Sequence, residues 1–135
     1  MVEVYRGADQ IEKEELLGLE VDLLCPCANS RSITVDNAGR VVARVISPGA
    51  NAPTTARGRA NSILQGVLPI PDCVANCGGV LAASMRRVRL RKDSVRRFVD
   101  QRFRQKVTEV IKAAERGNMS SRKYAERMAE GKFLG

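Results

Sequence analysis

The chain has 135 residues, 44% hydrophobic and 28% charged, a composition that suits one folded domain and excludes a disordered segment. No apolar run approaches the ~20 residues of a membrane-crossing helix, and the first residues lack a basic stretch followed by an apolar one, so a cytoplasmic protein with no membrane contact is expected. The sequence has no histidine, which excludes Ser-His-Asp and Cys-His nucleophilic sites, and its net charge of +8 is split between −2 over residues 1–83 and +10 over residues 84–135.

In chain order, Asp9 is expected to cap a short helix with Ile11, Leu16 and Leu17 on its apolar side and Gly18 as its stop. Residues 21–25 form a brief apolar run ended by Pro26 and read as a buried strand. Residues 41–46 are rich in β-branched side chains and read as a second strand, closed by Ser47-Pro48-Gly49. Thr54 or Thr55 can cap a helix running to about residue 65, with Gly66 as its C-terminal stop. Residues 67–71 read as a third strand, and Pro69 and Pro71 argue for an edge position. Helical turns between the strands imply crossover connections and a parallel sheet.

Beyond Asn76 the pattern becomes helical. One helix is expected from Gly78 to about residue 90. A longer one, capped by Asp93 and ending near Gly117, is expected to carry Val95, Phe98, Val99, Phe103, Val107, Val110, Ile111 and Ala114 on one face. A last helix, capped by Ser120 or Ser121, turns Tyr124, Ala125 and Met128 inward.

Three segments follow the strands: Pro26-Cys27-Ala28, the run from Pro48 to Thr55, and the run from Pro71 to Val80. In open α/β sheets, ligands bind outside the C-terminal ends of the strands, and small residues let a flat ligand reach the backbone. Asn51 and Asn76 each carry an amide that donates and accepts, which suits a carboxamide or ribose hydroxyls. On spacing alone they serve equally well as turn caps.

These three segments, in this order and at this spacing, resemble the glutamate/leucine/phenylalanine/valine dehydrogenase family, with the Pro53-Thr54-Thr55 run closer to the glutamate branch. The resemblance covers residues 1–83 well and the C-terminal helices loosely. It implies oxidative deamination of an L-amino acid coupled to hydride transfer onto NAD or NADP. It also implies an α/β fold: the C-terminal half of a Rossmann-like parallel sheet of about three strands, with C-terminal helices packed on it. Residues 1–83 would be the half Rossmann-like module and residues 84–135 the helices of the same domain. Asn51 would then lie near the nicotinamide ribose, Asn76 would hold the carboxamide, and Ala28 would line the cofactor site.

The sequence departs from the family pattern in several places. No Gly-x-Gly-x-x-Gly phosphate loop occurs, and the family's catalytic lysine and aspartate have no counterpart, so no catalytic residue is assigned and only weak or partial NAD or NADP binding is expected. Pro48 stands where the family usually has a glutamate, Arg31 where an asparagine is expected, and Ala83 where a substrate-touching serine is expected, with Ser84 one position late. Met85-Arg86-Arg87 replaces an aromatic-acidic pair. The four cysteines lack Cys-x2-Cys spacing, so no metal site is expected, and Cys27 and Cys77 read as small buried side chains.

Two functions follow from this pattern. The first is a cofactor-domain fragment of a glutamate-type dehydrogenase, active only if a partner supplies the missing half. The second is a non-catalytic protein whose basic helix, residues 85–106, engages nucleic acid or another polyanion through Arg86, Arg87, Arg89 and Arg91. Residues 21–25 would leave an apolar sheet edge open, so a homo-oligomer or a complementing dehydrogenase chain is expected, unless residues 2–5 fold back over that edge.

Overall fold

The computed structural model describes residues 11–12, 15–87, 90–117 and 119–133, with Arg86, Arg87, Lys132 and Phe133 described by their backbone alone. Three two-residue strands form a parallel sheet: β1 (Leu23–Leu24), β2 (Val45–Ile46) and β3 (Leu68–Pro69). Their order is β1-β2-β3, with Leu23 beside Val45 and Val45 beside Leu68. Pro69 therefore sits on an edge strand, where its missing N–H interrupts no ladder. The strands are shorter than the apolar runs that encode them. Val41 and Ala43 are buried and Val42 is exposed before β2 begins, so the alternation starts ahead of the pairing.

Among the described residues five α-helices complete the fold: α1 (Ala56–Leu64), α2 (Asp72–Ala75), α3 (Gly78–Arg87), α4 (Lys92–Glu115) and α5 (Ser121–Phe133). Thr55 caps α1 by accepting the Gly58 N–H at 3.1 Å, and Gly66 takes φ +80° just after it, as a helix stop requires. Gly117, at φ +70°, closes α4 in the same way. Ser120 accepts the Lys123 N–H at 3.3 Å and caps α5.

The core has two parts. One lies under the sheet and contains Ile33, Ala38, Val41, Ala43, Ile46 and Val67. The other joins α2, α4 and α5 through Val74, Val110 and Ala125, with Val107 and Tyr124 packed against it. Val95, Val110 and Ala125 are buried as their helical spacing predicts.

Several expectations are corrected. The expected cap Asp9 lies outside the described residues. Among the described residues that follow, a short 3-10 turn, Leu16–Gly18, forms, with Ile11 and Leu16 exposed and Leu17 packed on the core. β1 is only half-buried: Leu24 packs on the core, whereas Leu23, on an outer strand of the sheet, is 52% exposed. Arg91, not Asp93, is the N-cap of α4, which places Asp93 in the first turn, where its charge favours the helix dipole. Phe98 turns outward, with the Arg102 guanidinium 5.4 Å from its ring centre. It departs from the stripe of Val95, Val99 and Phe103 by one position, and ~100° of rotation carries it off the face. Cys27 is exposed and Cys77 only half-buried, because Cys27 lies in the loop that leaves the sheet at Pro26.

Candidate functional site

The loops after the three strands converge at one end of the sheet. The Gly49 and Ala50 N–H groups both donate to the Pro26 carbonyl at 3.1 Å, which ties the β2 loop to the β1 loop. A Cβ on Gly49 would lie 2.7 Å from the Cys27 Sγ, so these loops approach as closely as glycine allows. Farther along, the Arg31 N–H donates to the Ala52 carbonyl and the Ile33 N–H to the Pro53 carbonyl, both at 2.9 Å. Arg31 and Ala52 both have positive φ, 56° and 44°, a conformation that costs non-glycine residues energy and persists only where neighbours hold it.

Asn51 and Asn76 meet at this end. The Asn76 Nδ2 donates to the Asn51 Oδ1 at 2.6 Å and to the Ala50 carbonyl at 3.2 Å. Two acceptors facing one amide nitrogen fix which way the Asn76 amide points. The Asn76 Oδ1 then remains as an acceptor and the Asn51 Nδ2 as a donor, side by side. A primary carboxamide needs that combination, one acceptor for its N–H and one donor for its C=O. Asn51 is exposed and Asn76 half-buried, so the pair lies at the surface of a supported loop. The Ser30 hydroxyl donates to the Asn51 carbonyl at 2.7 Å. Ala28 is exposed on the β1 loop, and no hydrogen bond joins it to the asparagine pair.

Asp72 supports this arrangement. Its Oδ2 accepts the Ala52 N–H at 2.8 Å, and its Oδ1 accepts from the Arg122 guanidinium at 2.8 Å. Burial alone would raise the Asp72 carboxyl, but the Ala52 N–H and Arg122 outweigh it and hold the group below the usual carboxylate range. Burial works against the Arg122 cation too, but Glu126, bonded to its Nε at 2.9 Å, and Asp72 raise it further. Arg59 nearby is lowered, first by burial and then by the like charge of Arg122. Cys73 is exposed as a residue, yet partial burial pushes its thiol upward and keeps it protonated at neutral pH. The cavity beside Asp72 and Arg122 measures only about 20 Å³, room for a water molecule at most. Sequence reasoning passed over Asp72 and Arg122 as a site support. They lie 50 residues apart, and nothing local pairs them.

A larger cleft, about 1090 Å³, lies elsewhere, between α3 and α4, with Ala82, Leu90, Val95, Val99 and Phe103 as its apolar lining and Arg96 and Arg97 among its charged residues. Ser84 is exposed on α3 and donates to the Val80 carbonyl. Of the basic run, Arg91, Arg96 and Arg97 are exposed, whereas Arg89 and the side chains of Arg86 and Arg87 lie outside the described residues. Among the described residues no group of three or more Cys, Asp or Glu can hold a metal ion, and no helix is long and apolar enough to cross a membrane.

The chain is similar to known dehydrogenases along nearly its whole length. It is 35% identical over 132 residues to the glutamate dehydrogenase of Thermotoga maritima, covering 92% of this chain and 31% of that protein. It is 49% identical over 72 residues to the NAD-specific glutamate dehydrogenase A of Halobacterium salinarum, covering 52% of this chain and 16% of that one. The chain therefore spans less than a third of the length of these curated relatives. The hetero-hexameric glutamate dehydrogenase of Thermus thermophilus, solved in a leucine-bound form, superposes with a TM-score of 0.70 at 29% identity, over 81% of this chain and 28% of that one. The Glutamate/Leucine/Phenylalanine/Valine dehydrogenase profile matches residues 1–133, and the chain belongs to that family.

Proposed function

We propose that the chain forms the nicotinamide-binding half of the cofactor domain of a glutamate-type amino-acid dehydrogenase. The observation that carries this reading is the bonded amide pair Asn51–Asn76, held at the C-terminal ends of three parallel strands, which leaves the Asn76 Oδ1 as an acceptor and the Asn51 Nδ2 as a donor. In this reading Asn76 holds the carboxamide, Asn51 lies beside the nicotinamide ribose, and the small Ala28 lets the ligand approach the β1 loop. Residues 1–83 form the half Rossmann-like module, and residues 84–135 are the helices that support it. The nicotinamide, when bound, accepts the hydride released from the amino acid. The chain's own part is to orient the ring, because neither asparagine takes up a proton in the neutral range. Proton transfer and pyrophosphate binding are left to a complementing dehydrogenase chain, because further copies of this sequence would lack the same groups.

Binding of NAD or NADP by the chain alone is therefore weak, with a Kd no better than about 1 mM, or roughly −4 kcal/mol. Calorimetric titration with NAD checks this, and Asn76→Ala abolishes the signal. Micromolar affinity that survives Asn76→Ala would overturn the assignment. The chain alone is expected to form no NADH from glutamate and NAD. NADH formation that scales with its concentration would refute the division of labour.

A further inference from the structure

We propose that Arg122, on α5, is a positioning residue for the asparagine pair and acts on it through Asp72. This inference rests on the reading of Asn51 and Asn76 as the nicotinamide site. Arg122 donates to one oxygen of Asp72 at 2.8 Å, and the other oxygen accepts the Ala52 N–H at 2.8 Å. Ala52 follows Asn51 directly and holds a positive φ of 44°. A non-glycine residue keeps that conformation only where fixed partners hold it; the carboxylate holds the Ala52 N–H, and the Arg31 N–H bonds the Ala52 carbonyl.

The Asp72 carboxylate thus sets the backbone beside Asn51, and Arg122 sets the carboxylate. Arg122 is anchored in turn: its Nε donates to Glu126 at 2.9 Å, and the neighbouring Ser121 hydroxyl donates to the Pro69 carbonyl at the end of β3. The start of α5 is therefore tied both to the sheet and to the site. Asp72 and Arg122 are both largely shielded, with side-chain exposures of 18% and 34%, so water competes poorly for their contact.

The test uses the full chain, isotope-labelled, with nicotinamide mononucleotide as the probe. Nuclear magnetic resonance reads the Ala52 backbone amide and the side-chain amides of Asn51 and Asn76. Arg122→Gln is expected to move these three resonances and to weaken probe binding about tenfold, the effect of losing one charge-assisted hydrogen bond. Asp72→Asn keeps an oxygen for the Ala52 N–H, so its resonances stay closer to those of the unaltered chain than those of Asp72→Ala do. Arg127→Gln, on an exposed part of α5, is the control. A general loss of stability would not separate Asp72→Asn from Asp72→Ala at these three amides. If Arg122→Gln leaves them where the Arg127→Gln control leaves them, or binds the probe as tightly, the proposal is wrong. If the unaltered chain does not bind the probe, the nicotinamide reading fails, and the positioning role is decided by the resonances alone.

Discussion

Gly58 is the third residue of α1, and its backbone lies against the segment that follows the β1 loop. A Cβ built there would stand 2.9 Å from the Ile33 carbonyl oxygen and 3.0 Å from both the carbonyl carbon and oxygen of Thr34. Ordinary contact begins at 3.4 Å, so Gly58→Ala must open this interface by about 0.5 Å at its tightest point. All three atoms are backbone, so no side chain can rotate away. The Ile33 carbonyl also accepts the Thr55 N–H at 2.9 Å, and Ile33 is fully buried, so the shift strains the start of α1 and the core together. Overpacking of this kind costs about 1–3 kcal/mol, and the better helix propensity of alanine returns at most about 1 kcal/mol. With the full propensity gain set against it, the net loss reaches up to about 2 kcal/mol, a fall in Tm of up to roughly 10 °C for a chain of this size. Gly131→Ala is the matched control: its Cβ meets nothing within 4 Å in exposed α5, and the same propensity gain is expected to stabilise by about 0.5–1 kcal/mol. Thermal unfolding followed by circular dichroism measures both. A Gly58→Ala chain that melts above the unaltered chain, while Gly131→Ala behaves as expected, would refute the reasoning.

Because the folded Asp72 carboxyl lies below its usual range, its contribution to stability is complete above the ordinary carboxylate pKa of about 3.9 and is lost as pH falls through the lower folded value. Melting curves taken between about pH 6 and pH 2 should therefore show an acid-side loss that Asp72→Asn reduces; parallel curves for the two chains would argue against it. At β1, the Asp22 and Leu24 carbonyls accept from β2, so by strand alternation Leu23 turns its N–H to the outer edge. With Leu23 52% exposed there, the chain is expected to self-associate in light scattering, and Leu23→Pro should restore a monomer without breaking an inner bond. A monomeric mass at high concentration, or a Leu23→Pro chain that still associates, would place any contact elsewhere. Replacing Thr55 with Ala removes the α1 cap and should cost about 1 kcal/mol in urea unfolding; an unchanged midpoint would show that Gly58 finds another acceptor.

Local chemistry determined the order of elements along this chain. The β-branched run before Pro48, Thr55 ahead of α1, Gly66 and Gly117 as stops, and the 3.6-residue stripe holding Val95 and Val110 all act within a few residues, so they are readable one after another. The positions of Asn51 and Asn76 at strand ends were legible for the same reason, since each follows an apolar run by a few residues. What the alternation could not determine was how much of each run would pair, and only two residues of each strand do. Nor could it show that Leu23 would be exposed, because burial depends on which element covers a strand and not on its own residues. The hydrogen bond between the two asparagines spans 25 residues and the Asp72–Arg122 contact 50, and both exist only because the sheet and α5 bring distant segments together. The sequence carried two asparagines at strand ends, and the tertiary structure decided that their amides bond to each other and that the distant Arg122 bonds the aspartate beside them.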